Sequence, residues 1–192
     1  MGEGAVRATD EGAGGSAAGR PRVVVGVNGS LGGLAALHRA AYEARRGGTE
    51  LVVVFAWEPP GGSLAHRRAL CPLPLEDLRR DAGRRLLAAL EAAFGTAGPG
   101  VPYRAVVAQG AGGPALVETA DREDDLLVVG AGGRGPVLRA LLPSVARYCL
   151  AHARCPVLAV PPSPLADHLS AVHRRIALRL PLDARELTEG RS

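Results

Sequence analysis

A four-residue apolar run, Leu126 to Val129, followed at once by Gly130, Gly132, Gly133 and Gly135, constrains this chain more than any other stretch. A run that short and wholly apolar suits a strand covered on both faces. The glycines behind it permit a turn that bulky residues could not follow, and they let backbone N–H groups approach an anion. Pro143 and Ser144 then stand where a helix should begin, and a helix N-terminus adds oriented donors and a partial positive charge. The stretch from Asp125 to Pro161 therefore reads as strand, glycine loop, helix and strand. Its loop either cradles a phosphate or only makes a tight turn, and the glycines alone leave both readings open.

Spacing separates the known glycine loops. Gly130, Gly132 and Gly135 spell GxGxxG after a strand, but a dinucleotide site also needs an acidic residue about 20 positions on, and none occurs between Leu126 and Ala166. A Walker-type loop needs GxxxxGK[ST], and the chain has no lysine, all 23 of its basic residues being arginine. The same lack removes a kinase lysine and any Schiff base. A third spacing remains: Gly130, two residues, Gly133, nine residues, then Pro143 and Ser144.

That spacing resembles the nucleotide-binding signature of the universal stress protein family, G-x2-G-x9-G-[ST], with Pro143 in place of the last glycine. The ending SVARYCLAHARCPVLAVP resembles the last helix and strand of that family, and RVVVGVNGSLGGLAALHRAAYEARRGGTELVVVFAW resembles its first βαβ unit, so the likeness runs from about Arg22 to Pro161. It implies a single three-layer α/β/α domain over residues 21–162, built on a five-stranded, mostly parallel sheet of the adenine nucleotide alpha hydrolase-like type. It also implies a nucleotide held by Val27, Asn28, Ala56, Val129, Gly130, Gly133, Arg134, Ser144 and Val145. Where the family commonly has an aspartate, Asn28 keeps a donor and an acceptor but no charge. Ligand contact and simple turn chemistry both suit it. Pro143 lacks an N–H, and the loss of one hydrogen bond to a charged oxygen, about 1.5–3 kcal/mol, weakens phosphate binding about tenfold to a hundredfold. Ser144 retains its hydroxyl and amide, and Arg134 and Arg139 lie nearby in sequence.

The remaining elements follow from periodicity. Strands are expected at Arg22–Val27, Glu50–Trp57, Pro102–Gln109 and Pro156–Val160 besides the one at Leu126. A helix over Leu31–Arg46 should turn Leu34, Leu37, Ala41 and Ala44 to the sheet and end at Gly47 and Gly48. A second, over Leu75–Phe94, carries a stripe of Leu78, Leu86, Leu87 and Leu90; a short one runs from Gly113 to Ala120 and the last from Ser144 to His152. Pro59 to Pro74 is a long connection in which Arg67 and Arg68 are placed to meet phosphates or only solvent. Glu123, Asp124 and Asp125 read as a solvated acidic turn, since no histidine or second acidic cluster accompanies them.

Composition narrows the function classes. At 3% aromatic residues the core must be Val, Leu and Ala, and the net charge of +4 is spread without a basic block, which argues against nucleic-acid binding. Cys71, Cys149 and Cys155 form no CxxC or zinc spacing, and the five histidines form no HxxxH or HExxH, so no metal site is expected. Cys149 and Cys155 should be small buried thiols. Residues 1–20 read as a disordered tail without the apolar core of a signal peptide, and no run suits a membrane span. Residues 163–192 read as an extension in which Leu165, Leu169, Val172 and Ile176 mark an amphipathic helix over Asp167–Leu180, followed by disorder.

The function expected is that of a cytoplasmic stress-response protein, binding ATP with magnesium in a regulatory role and not an enzyme, and forming a homodimer through the last strand. The alternative is a dimeric interaction module of the same fold that binds no nucleotide.

Overall fold

The computed structural model describes residues 21–62, 66, 68, 74–131 and 144–161. The tails, most of the 59–74 connection with Cys71 and Arg67, and the loop holding Gly133, Arg134, Arg139 and Pro143 lie outside the described residues. The elements in chain order are β1 (Arg22–Gly26), α1 (Leu31–Gly47), β2 (Glu50–Trp57), α2 (Leu75–Phe94) with a 3-10 turn at Gly95–Ala97, β3 (Tyr103–Gln109), α3 (Gly112–Thr119), β4 (Leu126–Gly130), α4 (Val145–His152) and β5 (Val157–Val160).

The strands form one five-stranded sheet in the order β3-β2-β1-β4-β5, and all four pairings are parallel. Parallel strands must be joined by crossovers, and helices then cover both faces, which is why the inner strands are apolar in unbroken runs, Val23–Val25, Leu51–Trp57 and Leu126–Val129, rather than at alternate positions. Side chains nonetheless alternate between two cores. Val23, Val25, Leu51, Val53, Phe55 and Val128 pack under α1 and α2 with Leu37, Ala40, Ala41, Leu86 and Leu90. Val24, Val52, Val54, Leu127 and Val129 pack on the other face with Leu116, Ala146 and Cys149 of α3 and α4. At most positions these side chains are fully buried. Gly26 belongs to this packing too, because a Cβ there would lie 2.6 Å from Leu116 Cδ1.

The helix stripe on α2 differs from the expectation at Leu87, and Leu78 is only half-buried. Leu86, Ala82, Ala89 and Leu90 are buried, whereas Leu87 is 47% exposed. Neighbouring helix positions point about 100° apart, so Leu86 and Leu87 cannot both face the sheet, and the small residues Ala82 and Ala89 complete the stripe on the side of Leu86.

The acidic turn is the second correction. Asp125 is not solvated: it is 1% exposed and takes two hydrogen bonds from Arg22, from Nε at 2.9 Å and from Nη2 at 2.5 Å. The same Nη2 reaches Asp121 at 2.6 Å and the carbonyl of Thr119 at 3.3 Å. Val23 pairs with Leu126 in the β1–β4 register, so Arg22 and Asp125, one residue earlier on each strand, come level at the N-terminal edge of the sheet.

Candidate functional site

Since the strands are parallel, their carboxyl ends share one edge. From β1 the chain runs outward through α1, β2 and α2 to β3 along one face, then returns to β4 and β5 by way of α3 and α4 on the other. The connections after β1 and β4 therefore leave to opposite faces, and the carboxyl ends of those two strands flank a crevice of the kind that collects ligands in doubly wound sheets.

The β1 side of this crevice is a tightly bonded turn. Val27 is 5% exposed and donates its amide to Val54 O at 2.9 Å, which continues the sheet one residue past β1. Gly29 turns the chain at φ 74°. Asn28 Oδ1 accepts from the Ser30 amide at 3.1 Å and from the Ser30 hydroxyl at 2.7 Å, while Ser30 Oγ caps α1 by accepting from Gly33 N at 3.1 Å. The turn-forming role of Asn28 is thus realised by its oxygen, and the side-chain nitrogen of this exposed residue bonds to none of the described residues. The amides of Leu31 and Gly32, in the first turn of α1, have no carbonyl within their own helix to bond.

The β4 side meets that turn directly. A Cβ on Gly130 would lie 2.8 Å from Gly32 O and 3.1 Å from Gly32 C, a backbone contact that only glycine allows. Gly33 is bare for a related reason, since a Cβ there would lie 2.9 Å from Asn28 Oδ1. Ala131 N bonds to Val160 O at 2.7 Å, holding the chain beside β5 as it leaves β4. Val129 is 2% exposed with its side chain in the α3–α4 core, so it offers the edge only its main chain.

Ser144 is the N-cap of α4, its Oγ accepting from Arg147 N at 3.1 Å, which leaves the hydroxyl proton to donate. Val145 is 43% exposed and sits against the start of α3, where a Cβ on Gly112 would lie 3.2 Å from Val145 Cγ2. One turn on, Gly113 admits the Tyr148 ring, which a Cβ would meet at 2.6 Å, and Tyr148 stacks on His152 at 4.1 Å. Ala56, near the end of β2, is partly exposed and lies level with Ala108 of β3. Trp57 packs against the α1–α2 core. The structure thus gathers Val27, Asn28, Val129 and Gly130 at the carboxyl ends of the neighbouring strands β1 and β4, with Ala56 two strands from β4 on the same edge. Gly133 and Arg134 lie outside the described residues.

Charge and reactivity lie elsewhere. The Arg22 guanidinium is held protonated above its ordinary range, chiefly by its hydrogen bonds to Asp125, against the opposing pull of burial. Burial also pushes the Cys149 thiol up to about 11 and raises Cys155; both are free and buried, as their position predicts. Two open concavities, of about 520 and about 390 Å³, occupy the N-terminal edge around Arg22 and Thr49. They are at the wrong end of the strands for the crevice, and the first mixes Arg104 and Arg122 with Glu50 instead of presenting one sign of charge. Among the described residues no three His, Cys, Asp or Glu side chains cluster as metal ligands, and no helix is long and apolar enough to cross a membrane. Sequence reasoning missed the Arg22–Asp125 pair; the signal for it was the position of each at the first step of neighbouring buried strands.

Known structures share this fold. A universal stress protein solved in complex with cAMP is 30% identical, with a TM-score of 0.51, over 74% of this chain and 98% of that one. The universal stress protein from Archaeoglobus fulgidus is 26% identical, with a TM-score of 0.51, over 73% and 98%. The fold alone is shared with the universal stress protein UspA from Lactobacillus plantarum, 20% identical with a TM-score of 0.50 over 73% and 97%. No functionally curated protein matches the chain. The sequence model of the universal stress protein family matches residues 19–161, and this chain belongs to that family.

Proposed function

We propose that this protein binds an adenine nucleotide in the crevice between β1 and β4, as a regulatory stress-response protein with no catalytic step of its own. The contact of Gly130 with the Gly32 backbone carries this reading, because it brings the end of β4 against the first turn of α1, where amides without helical partners and the exposed Asn28 amide face the same edge. The cAMP complex of the 30% identical relative supports an adenine nucleotide as the ligand class. In this reading Val27, Asn28 and Ala56 take the nucleoside, and Val129, Gly130, Gly133, Arg134, Ser144 and Val145 take the phosphates. The preferred form is ATP with magnesium, which the phosphates themselves would hold.

The assembly and setting belong to the same proposal. Residues 21–162 form the nucleotide-binding body, with 1–20 and 163–192 as extensions. β5 is an edge strand, and pairing with a second copy would satisfy its outer backbone groups and give a homodimer. The free thiols Cys149 and Cys155 suit the reducing cytoplasm.

Thermal unfolding with and without nucleotide tests the ligand. Ligand at about 100 times its dissociation constant contributes about 2.7 kcal/mol, which raises the midpoint by about 5–10 °C in a domain of this size. ATP with magnesium should give such a rise, and Gly133→Val should remove it. A flat response to ATP, AMP and cAMP at millimolar concentration would sink the proposal and leave a dimeric interaction module, a reading that the proline at position 143 and the engagement of the Asn28 oxygen by Ser30 favour.

A further inference from the structure

We propose that Asn28 is a spontaneous modification site, its side chain closing on the Gly29 amide to a succinimide that water opens to aspartate or isoaspartate. Asn28 is the only asparagine of the chain, and the residue after it is a glycine that turns at φ 74°. Asn28, Gly29 and Ser30 are all exposed. Nothing lies within 4 Å of the place a Gly29 Cβ would take, so no neighbour crowds the attacking nitrogen on that side.

Three groups of the turn are set for the closure. The nucleophile is the Gly29 amide, which bonds to none of the described residues. The electrophile is the Asn28 side-chain carbonyl, whose Oδ1 already accepts from the Ser30 amide at 3.1 Å and from the Ser30 hydroxyl at 2.7 Å. As the Gly29 nitrogen adds to Cγ, negative charge collects on that oxygen, and two donors already in place there stabilise it. The leaving group is the exposed side-chain nitrogen, which also bonds to none of the described residues. The Gly29 N–Cγ bond forms as the Cγ–Nδ2 bond breaks; the Gly29 proton passes to solvent, and Nδ2 departs as ammonia. Water then opens the ring at Cγ to leave aspartate, or at the main-chain carbonyl to leave isoaspartate, with no change of oxidation state. The chain holds its own comparison. Gln109, its only glutamine, also precedes a glycine, but the Gly110 amide donates to Trp57 O at 2.8 Å and is not free to attack. Either product sets a carboxylate at the carboxyl end of β1, and isoaspartate also lengthens the main chain ahead of the α1 cap. The inference does not depend on the nucleotide reading.

Peptide mapping by mass spectrometry tests it on the full-length chain, kept folded in mildly alkaline buffer beside a portion unfolded in urea. In the folded chain the peptide holding residue 28 should gain the mass of OH over NH2 at least as fast as in urea, while Gln109 stays unchanged. Ser30→Ala, which removes the hydroxyl donor, should slow conversion of the folded chain about tenfold and leave the rate in urea unaltered. A residue-28 peptide that keeps its mass in the folded chain while it converts in urea would overturn the proposal. So would a folded Ser30→Ala chain that converts as fast as the wild type.

Discussion

At the scale of single residues, the buried Arg22–Asp125 pair decides most. Both carboxylate oxygens of Asp125 are bonded to one guanidinium, and a fully buried charge is tolerated only when matched in this way. Removing one partner strands the other, at a cost of about 3–5 kcal/mol, whereas replacing both with apolar groups of similar size is often close to neutral. Asp125→Ala should therefore lower stability by about 3–5 kcal/mol in urea unfolding, and Arg22→Met/Asp125→Leu should recover much of that loss. A double variant no more stable than Asp125→Ala would show that the pair contributes more than mutual compensation. Asp125 was hidden in the sequence because Glu123 and Asp124 beside it are exposed, and a run of three acids looks alike whichever member turns inward. Asn28 was hidden differently: an amide serves a turn or a ligand equally well, and only the two donors of Ser30 show which of its atoms is already engaged.

At the scale of elements, the contact between the end of β4 and the start of α1 can be tested alone. Gly130→Ala would bring a methyl group to 2.8 Å from a backbone carbonyl, which cannot swing aside as a side chain would. Moving α1 to relieve this should cost about 1–3 kcal/mol, and the displaced first turn should also abolish any nucleotide-induced rise in the unfolding midpoint. An alanine variant with wild-type stability and ligand response would refute the close approach as the organising contact of the crevice. Elements of this kind were largely legible beforehand. β2 and α2 occupy the residues expected of them, Glu50–Trp57 and Leu75–Phe94, because one is an unbroken apolar run and the other a long stripe with an acidic first turn. Contact between elements distant in sequence was not legible, since no local pattern says which glycine a neighbouring backbone needs.

For the molecule as a whole, the two cores are unequal in chemistry, since the one under α3 and α4 contains both described thiols. Cys149 has a folded-state value of about 11, above its ordinary 9.0, because burial disfavours the thiolate. A group held protonated by folding contributes stability that is fully present below its unfolded value and is lost as the pH rises through the folded one. Stability should therefore fall between about pH 9 and pH 11, and Cys149→Ala should flatten that decline relative to the wild-type chain in denaturant titrations. A decline as steep in Cys149→Ala as in wild type would mean that other groups dominate. The clamp of Arg22 on Asp125 and the touch of Gly130 on Gly32 also have a joint effect on shape. One ties β1 to β4 at the foot of the sheet, and the other sets the head of β4 against the first turn of α1. A group bound at that end must therefore sit above the two strands and not between them.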